Sequence, residues 1–285
     1  MKKSVIISFI FCLIGIISML VAISPKIINP QGLTFYKQPD GTYIVSCGEA
    51  KYSTEIKIPA KYKGGAVVGI DDEGFSGCTY LENITLPKTI KSIGYKAFID
   101  CSSLKEIVIP DGVTEISDYA FTRCQSLKKI ELPNGLTYIG NHSFSECSSL
   151  NEISIPSSVT IINNGAFEAC SALGEISLPE AIVDIRSYLF ENCTSLKTAR
   201  LGSSITRLTY CMFMGCSSLE RVYVPTTVTY IDVSVFTDCT SLSDVYFEGT
   251  AEQWLNMNYN IKWDVNYVVH CSDAAIDSDG SILYK

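Results

Sequence analysis

The sequence contains only two histidines, His142 and His270, and neither lies in a recognisable catalytic or metal-binding motif. There is no H-E-x-x-H zinc motif, no G-x-S-x-G nucleophile motif and no glycine-rich phosphate-binding loop. The sequence also contains no C-x-x-C pair, so its 12 cysteines lack the spacing typical of zinc ligands. These absences predict a protein that is not an enzyme and that holds no metal or cofactor.

Charged residues are also scarce, and basic residues are the scarcer kind. Only 18% of the residues are charged, with 22 Lys and Arg against 30 Asp and Glu, and the net charge is −8. A nucleic-acid partner requires a basic stripe that neutralises phosphates, and the sequence has none. We therefore expect no nucleic-acid ligand.

The dominant feature is a unit of 23 residues that recurs eight times without a change of phase. One cysteine recurs at this period, at Cys78, Cys101, Cys124, Cys147, Cys170, Cys193, Cys216 and Cys239. A phenylalanine stands three residues before each, at Phe75, Phe98, Phe121, Phe144, Phe167, Phe190, Phe213 and Phe236. A fixed period of this length is the signature of a solenoid, in which neighbouring units stack to bury a continuous core.

Each unit contains one pattern typical of a half-buried strand. In the unit that holds Leu104, the alternating pattern predicts that the side chains of Ile107 and Ile109 point inward. The side chain of Glu106, which precedes Ile107, is predicted to point outward. Pro110 then ends the strand, because proline cannot donate to a ladder. After a second short extended piece, an irregular or single-turn helical return completes the coil. The sequence thus predicts a mainly β solenoid of eight coils.

Three readings of the cysteine column are open: metal ligands, disulfides between adjacent coils, or buried small hydrophobes. The third is favoured, because parallel side chains about 4.8 Å apart are too distant for ordinary disulfide geometry. A catalytic pair of His142 and Cys147 is also disfavoured, because that cysteine occupies a repeated core position. Repeat six has Ala199 and Gly202 in place of the usual isoleucine and proline, so its strand is expected to be the least well packed.

Residues 1–24 are predicted to be a signal peptide or signal anchor. Lys2 and Lys3 precede an uncharged run from Val5 to Ile23, which reaches the length of about 20 residues needed to span a bilayer. Either alternative places the repeats outside the cytoplasm, tethered to the cell surface by residues 4–24 or secreted after cleavage. Membrane contact is expected only through this segment if it is uncleaved.

The remaining chain divides into an amino-terminal cap with a hairpin (25–66), the solenoid (67–248) and a carboxy-terminal cap (249–285). Asp40-Gly41 between two alternating runs predicts the first hairpin, and Asp279-Gly280 predicts a closing one. In the second cap, Thr250 precedes a short helical segment, and the two tryptophans, Trp254 and Trp263, are expected to plug the open end of the solenoid.

The pattern F-x-x-C-x-x-L-x-x-I-x-I-P, as in Phe98 to Pro110, resembles the BspA-type leucine-rich repeat of bacterial and protozoan surface proteins. The segments GTAEQW and VVHCSD, at Gly249 and Val268, are similar to the cap that follows such repeats in bacterial members. The resemblance covers about residues 54–248 and implies a leucine-rich repeat right-handed superhelix with a role in cell-surface interaction or adhesion. It implies no particular ligand.

Outward strand positions form two columns on one sheet face. The first is Asn83, Glu106, Lys129, Glu152, Glu175, Thr198, Arg221 and Asp244; the second is Thr85, Val108, Glu131, Ser154, Ser177, Arg200, Tyr223 and Tyr246. Arg and Tyr are enriched at interface hot spots, so Arg200, Arg221, Tyr223 and Tyr246 are the predicted binding residues for a protein or glycan ligand. The alternatives are a structural spacer with no discrete ligand, and an enzyme whose site lies in the caps near His270.

Overall fold

The computed structural model describes residues 32–259 and 267–284, and short strands dominate both ranges. The predicted leader and Trp263 lie outside the described residues. Within the described ranges, no helix has the length and apolarity that a membrane crossing requires.

The part of the chain that the structure describes begins with a hairpin. Its first strands are β1 (Thr34–Lys37), β2 (Tyr43–Ser46), β3 (Glu55–Lys57), β4 (Lys61–Tyr62) and β5 (Gly65–Ile70), with a 3₁₀ helix at Gly48–Tyr52. Strands β1 and β2 pair antiparallel, and the Asp40 carboxylate accepts a 2.9 Å hydrogen bond from the backbone N–H of Thr42 at the turn. The hairpin predicted at Asp40-Gly41 is therefore confirmed. Strand β5 pairs parallel with β2 and connects the hairpin to the solenoid.

Most coils of the solenoid contribute two short strands. In chain order they are β6 (Asn83–Thr85), β7 (Ser92–Ile93), β8 (Glu106–Val108), β9 (Glu115–Ile116), β10 (Lys129–Glu131), β11 (Tyr138–Ile139), β12 (Ile161–Ile162), β13 (Glu175–Ser177), β14 (Asp184–Ile185), β15 (Thr198–Arg200), β16 (Arg207–Leu208), β17 (Arg221–Val224), β18 (Tyr230–Ile231) and β19 (Asp244–Phe247). Where equivalent strands of successive coils pair, they pair parallel and in register, as Ile107 does with Ile130. The predicted β solenoid is confirmed.

The carboxy-terminal elements close the solenoid. They are α1 (Ala251–Leu255), β20 (Asn258–Tyr259), β21 (Val268–His270), β22 (Ala274–Ile276) and β23 (Ile282–Tyr284). Thr250 and Gln253 form a reciprocal capping box at the start of α1. Trp254 is fully buried with its ring 5.2 Å from that of Phe247, so this tryptophan covers the last coil.

Strand β21 adds to the solenoid sheet in parallel with β19, and β22 and β23 then run antiparallel as the second predicted hairpin.

The phenylalanines of the repeats form one continuous stack inside the solenoid. Neighbouring rings lie nearly parallel with centroids 5.2 to 5.8 Å apart from Phe75 to Phe236. The coil-to-coil spacing of a parallel sheet sets this distance, so in-register pairing and ring stacking favour the same geometry.

The cysteines form a second internal column beside the rings. From Cys101 to Cys239, each thiol donates to the carbonyl oxygen of a phenylalanine in the preceding coil, as Cys101 does to Phe75 at 3.1 Å and Cys147 to Phe121 at 3.2 Å. The thiols of the column are free, and all but the partly exposed Cys239 are buried, which confirms that the column consists of small core side chains. The hydrogen bond explains why cysteine suits the position, because the thiol gives a buried carbonyl that already accepts one backbone N–H a second donor, which alanine or valine could not supply.

The return segment around each phenylalanine is a series of tight turns rather than a helix. Lys96 lies two residues before Phe98 and Asp100 lies two residues after it, and both have positive φ. The same two positions have positive φ throughout the repeats. The N–H groups of Lys96, Phe98 and Asp100 donate to carbonyls of the next coil at 2.8 to 3.1 Å. Hydrogen bonding between coils therefore offsets the cost of the left-handed backbone.

Within the described residues, the sheet face is interrupted in repeat four and not in repeat six, where a poorly packed strand was expected. Strand β15 of repeat six pairs on both sides and Ala199 is fully buried, so the prediction of a poorly packed strand there is wrong. A Cβ on Gly202 would lie 2.1 Å from the carbonyl oxygen of Pro179, so glycine permits a close approach of coils five and six. Residues 151–156 of repeat four instead form no strand, and the sheet face divides between β10 and β13.

Truncation of one stacked ring should destabilise the whole solenoid. We expect Phe144→Ala to lower the free energy of unfolding by about 3–5 kcal/mol, because the fully buried ring loses contacts with both neighbouring rings. Urea denaturation measures the change, and Val108→Ala on the exposed sheet face is the control, expected within about 0.5 kcal/mol of the wild type. A loss below about 1 kcal/mol for Phe144→Ala would contradict the role of the stack.

The buried thiols should make stability fall at alkaline pH. Burial raises the pKa of Cys170 to about 12 and that of Cys147 well above its ordinary value. Because thiols of the unfolded chain ionise near pH 8.5, the stability that the neutral thiols contribute is complete below that pH and is lost as the pH rises toward the folded pKa. Urea unfolding at pH 7.5, 8.5 and 9.5 should show this decline.

The matched control for the pH dependence is the double variant Cys147→Ala/Cys170→Ala. Each thiol contributes up to about 1.4 kcal/mol per pH unit above pH 9, so the double variant should show a shallower decline. Equal slopes for the variant and the wild type would show that these thiols are not the cause.

Candidate functional site

Parallel pairing without a register shift carries the outward side chains of the last coils into one row. Arg200 on β15 is opposite Tyr223 on β17, Tyr223 is opposite Tyr246 on β19, and Tyr246 is opposite His270 on β21. We call these four residues the aromatic ladder. Three of the four predicted binding residues, Arg200, Tyr223 and Tyr246, belong to it.

The side chains of the aromatic ladder stack in sequence along the solenoid axis. The guanidinium carbon of Arg200 lies 3.7 Å from the ring centroid of Tyr223. Tyr223 and Tyr246 are stacked at 4.9 Å with 12° between their planes, and Tyr246 and His270 at 4.7 Å with 16°. Both faces of each tyrosine ring and one face of the His270 ring are thus covered by a neighbour, which restricts the side chains and turns their edges toward solvent.

A carboxylate fixes the last ring of the ladder. His270 Nε2 lies 2.6 Å from Asp244 Oδ1, so the imidazole donates this bond, since a carboxylate only accepts. The Ser243 hydroxyl donates to the other oxygen, Oδ2, at 2.7 Å. The hydrogen bond from Ser243, followed by that from His270, lowers the pKa of Asp244, which therefore remains ionised at neutral pH.

The fourth predicted residue, Arg221, lies in the neighbouring column between Thr198 and Asp244. Its guanidinium is 3.3 Å from the Glu220 carboxylate, and both side chains are nearly half exposed, so the ion pair contributes little to stability. Arg221 therefore flanks the aromatic ladder without joining it. Thr198, expected to be an outward member of the same column, is only 8% exposed because neighbouring side chains cover it.

The residue that sequence reasoning missed is His270. It lies 24 positions after Tyr246, one more than the repeat period, and follows the segment where the repeats end. The signal that could have found it is the alternation of Val268, Val269 and His270, with Val269 buried, which continues the pattern of β19 into the cap. Its role in the row becomes visible only when β21 pairs with β19.

The other half of the sheet face is different in character. It carries charged and small side chains, with Lys129 and Glu131 of one strand joined by a 2.7 Å ion pair. Val108 is the exposed apolar residue of this part. Because residues 151–156 form no strand, this charged half of the sheet face and the aromatic ladder belong to two different sheets.

A second polar cluster lies on the turn segments rather than on the sheet face. His142 stacks on Tyr119 at 5.3 Å, and its Nδ1 is 2.9 Å from Glu168 Oε2. Burial, and then the charge of Glu168, raise the pKa of the nearby Glu191. The thiol of Cys147 points into the core and donates to Phe121 instead, so the structure does not bring His142 and Cys147 together as a catalytic pair.

The cap histidine likewise has no nucleophile among its described contacts. Cys271, its neighbour in sequence, is 3% exposed and faces the core, as strand alternation requires. Among the described residues, no group of three His, Cys, Asp or Glu side chains has an arrangement that could hold a metal ion.

Comparison with known proteins identifies the repeats. The family described as BspA type leucine-rich repeat region matches residues 50–173 and 141–260, with six copies of the repeat. No functionally curated protein matches the chain significantly.

Several solved structures share the fold. A leucine-rich repeat protein from T. pallidum is 27% identical with a TM-score of 0.55, and the match covers 75% of this chain and 89% of that one. The pneumococcal vaccine antigen PcpA is 17% identical with a TM-score of 0.51, over 84% of this chain and 82% of that one. The match to the T. pallidum protein spans most of both chains, so the two proteins share the solenoid fold.

The two tyrosines of the aromatic ladder should be energetically coupled. We expect a double-mutant cycle of Tyr223→Ala and Tyr246→Ala, measured by urea denaturation, to give a coupling of about 0.5–1 kcal/mol, because each variant removes the stacking partner of the other. The matched pair Val108→Ala and Glu131→Ala, which are opposite each other on adjacent strands without rings, should be additive. Additivity for the tyrosines would contradict the stacked geometry.

Proposed function

Because the chain belongs to the BspA-type leucine-rich repeat family, we propose that it is a non-enzymatic binding module that works outside the cytoplasm. Its ligand is a protein or a glycan at a cell surface, bound on the sheet face of the last coils. The observation that carries the proposal is the aromatic ladder, where Arg200, Tyr223, Tyr246 and His270 form one rigid, solvent-facing row.

Three physical features support binding at this row. Stacked side chains have already lost their rotamer freedom, so a ligand that contacts them pays little additional conformational entropy. Tyr and Arg offer large contact areas together with hydrogen-bonding groups, and they are the residue types that dominate interface energetics. The row also lies on a paired parallel sheet, which supplies a firmer platform than a loop would.

The extracytoplasmic location is part of the same proposal. It rests on the apolar run in residues 4–24, which would either anchor the chain or direct its export, and on the presence of a vaccine antigen among the proteins with this fold. A tethered chain would present the repeats to the medium, and a cleaved chain would release them.

A binding screen with a ladder variant tests the proposal. The full chain, purified in mild detergent because of its apolar amino terminus, is tested against extracellular matrix proteins, host cells and a glycan array. The variant Arg200→Ala/Tyr223→Ala/Tyr246→Ala is expected to lose at least about tenfold in affinity for any ligand found, because it removes three neighbouring hot-spot side chains.

The matched control changes the same column at the other end of the solenoid. Thr85→Ala/Val108→Ala/Glu131→Ala is expected to bind as the wild type, and thermal unfolding of both variants checks that the fold is retained. A ligand that both triple variants bind equally well would refute the proposed surface. A clean negative across the panel would favour a structural spacer without a discrete ligand.

A further inference from the structure

The row of the aromatic ladder continues past the last repeat into the closing hairpin. His270 on β21 is opposite Ala275 on β22, and Ala275 is opposite Leu283 on β23. Directly opposed residues of an antiparallel pair share one face of the sheet, so all three side chains lie on the face of the ladder. The row therefore changes from stacked rings to a single methyl group and then to a large apolar side chain.

This change leaves a notch at the end of the stack. One face of the His270 ring is covered by Tyr246, and the other faces the position of Ala275, whose side chain ends at Cβ. The His270 side chain is 36% exposed, and Leu283 on the far side is 52% exposed. Two strand spacings separate the two walls, or about 9.6 Å. A flat ring in van der Waals contact on both sides needs about 7 Å, so one ring fits.

The chemistry of the walls selects the kind of ring. The imidazole already donates its Nε2 hydrogen to the Asp244 carboxylate. The hydroxyl groups of a sugar that entered the notch would lose hydrogen bonds to water without finding partners on a hydrocarbon wall, whereas a flat aromatic ring needs no such partners. Leu283 presents only hydrocarbon. These walls favour a tyrosine or tryptophan side chain of a protein over a glycan.

The opposite end of the ladder offers a charge. Arg200 stacks on Tyr223, and within the described residues no carboxylate pairs with its guanidinium, while its neighbour in the row on the other side is Ser177. A guanidinium held in place by stacking keeps its N–H groups free for a carboxylate from a partner. Four strand spacings, about 19 Å, separate Arg200 from the notch, a distance that about six residues of extended chain span.

We propose that the aromatic ladder binds an extended peptide segment of a partner protein, with an aromatic side chain inserted between His270 and Leu283 and an acidic side chain, about six residues away, paired with Arg200. This inference rests on the proposed function and names the ligand class for the same surface. The inserted ring extends the stack by one rung, and the edges of Tyr223 and Tyr246 line the path between the two anchors.

Fluorescence polarisation with synthetic peptides tests the inference on the full chain. The probe is a labelled peptide with one glutamate and one tryptophan separated by five glycine and serine residues. We expect saturable binding below about 1 mM. Replacing the tryptophan by alanine, or shortening the spacer to one residue, should weaken binding about tenfold or more, because either change removes one anchor.

Two protein variants separate the notch from the rest of the surface. Ala275→Phe fills the notch without removing any group of the ladder and should weaken binding of the tryptophan peptide about tenfold. Thr85→Phe adds the same ring to the same column at the far end of the solenoid and should leave binding unchanged. The comparison of the tryptophan and alanine peptides uses only the wild-type protein, so its result does not depend on whether a variant folds.

The outcomes distinguish this inference from the proposed function. Equal binding of the tryptophan and alanine peptides, no saturable binding at about 1 mM, or unchanged binding by Ala275→Phe would overturn the peptide inference. A glycan that binds the wild type and Ala275→Phe equally, but not the ladder triple variant, would overturn it and leave the proposed surface intact.

Discussion

The parallel, in-register stacking of identical coils is the constraint on which the rest of this structure depends. It brings equivalent side chains to a fixed spacing, and the residues at each position are those that tolerate or exploit that spacing. Phenylalanine rings stack face to face from Phe75 to Phe236. Thiols satisfy carbonyls of the preceding coil, as Cys101 does for Phe75. The left-handed residues of the turns are held by N–H groups that donate to the next coil.

The same constraint builds the candidate site on the outside. Pairing that stacks phenylalanines in the core stacks Tyr223 on Tyr246 on the surface, at nearly the same distance. On the surface, however, the stack has ends, and each end is chemically distinct. Arg200 covers one with a cation, and His270 closes the other with a ring oriented by Asp244. The local site of this regular solenoid therefore lies where the residues at one outward strand position change from small or acidic to aromatic along the coils.

The breaks in the regularity are as informative as the regularity itself. Gly202 allows coil six to approach Pro179 closely, and in the same coil Ala199 is fully buried and its strand is paired on both sides. Residues 151–156 keep the repeat pattern in sequence and yet form no strand, and nothing in the described contacts explains the difference. The division of the sheet there separates the charged half of the face from the aromatic half.

The sequence by itself determined the solenoid, because a period of 23 residues with fixed Phe, Cys and Leu positions has a stacked coil as its physical solution. It also determined both hairpins, the inward alternation of Ile107 and Ile109, and three members of the aromatic ladder. Only the tertiary structure decided that His270 is the fourth, since its place depends on β21 pairing with β19 outside the period. Tertiary packing likewise decided that Thr198 is covered and that Arg221 pairs with Glu220, because exposure and ionic partners depend on neighbouring side chains that spacing alone does not specify.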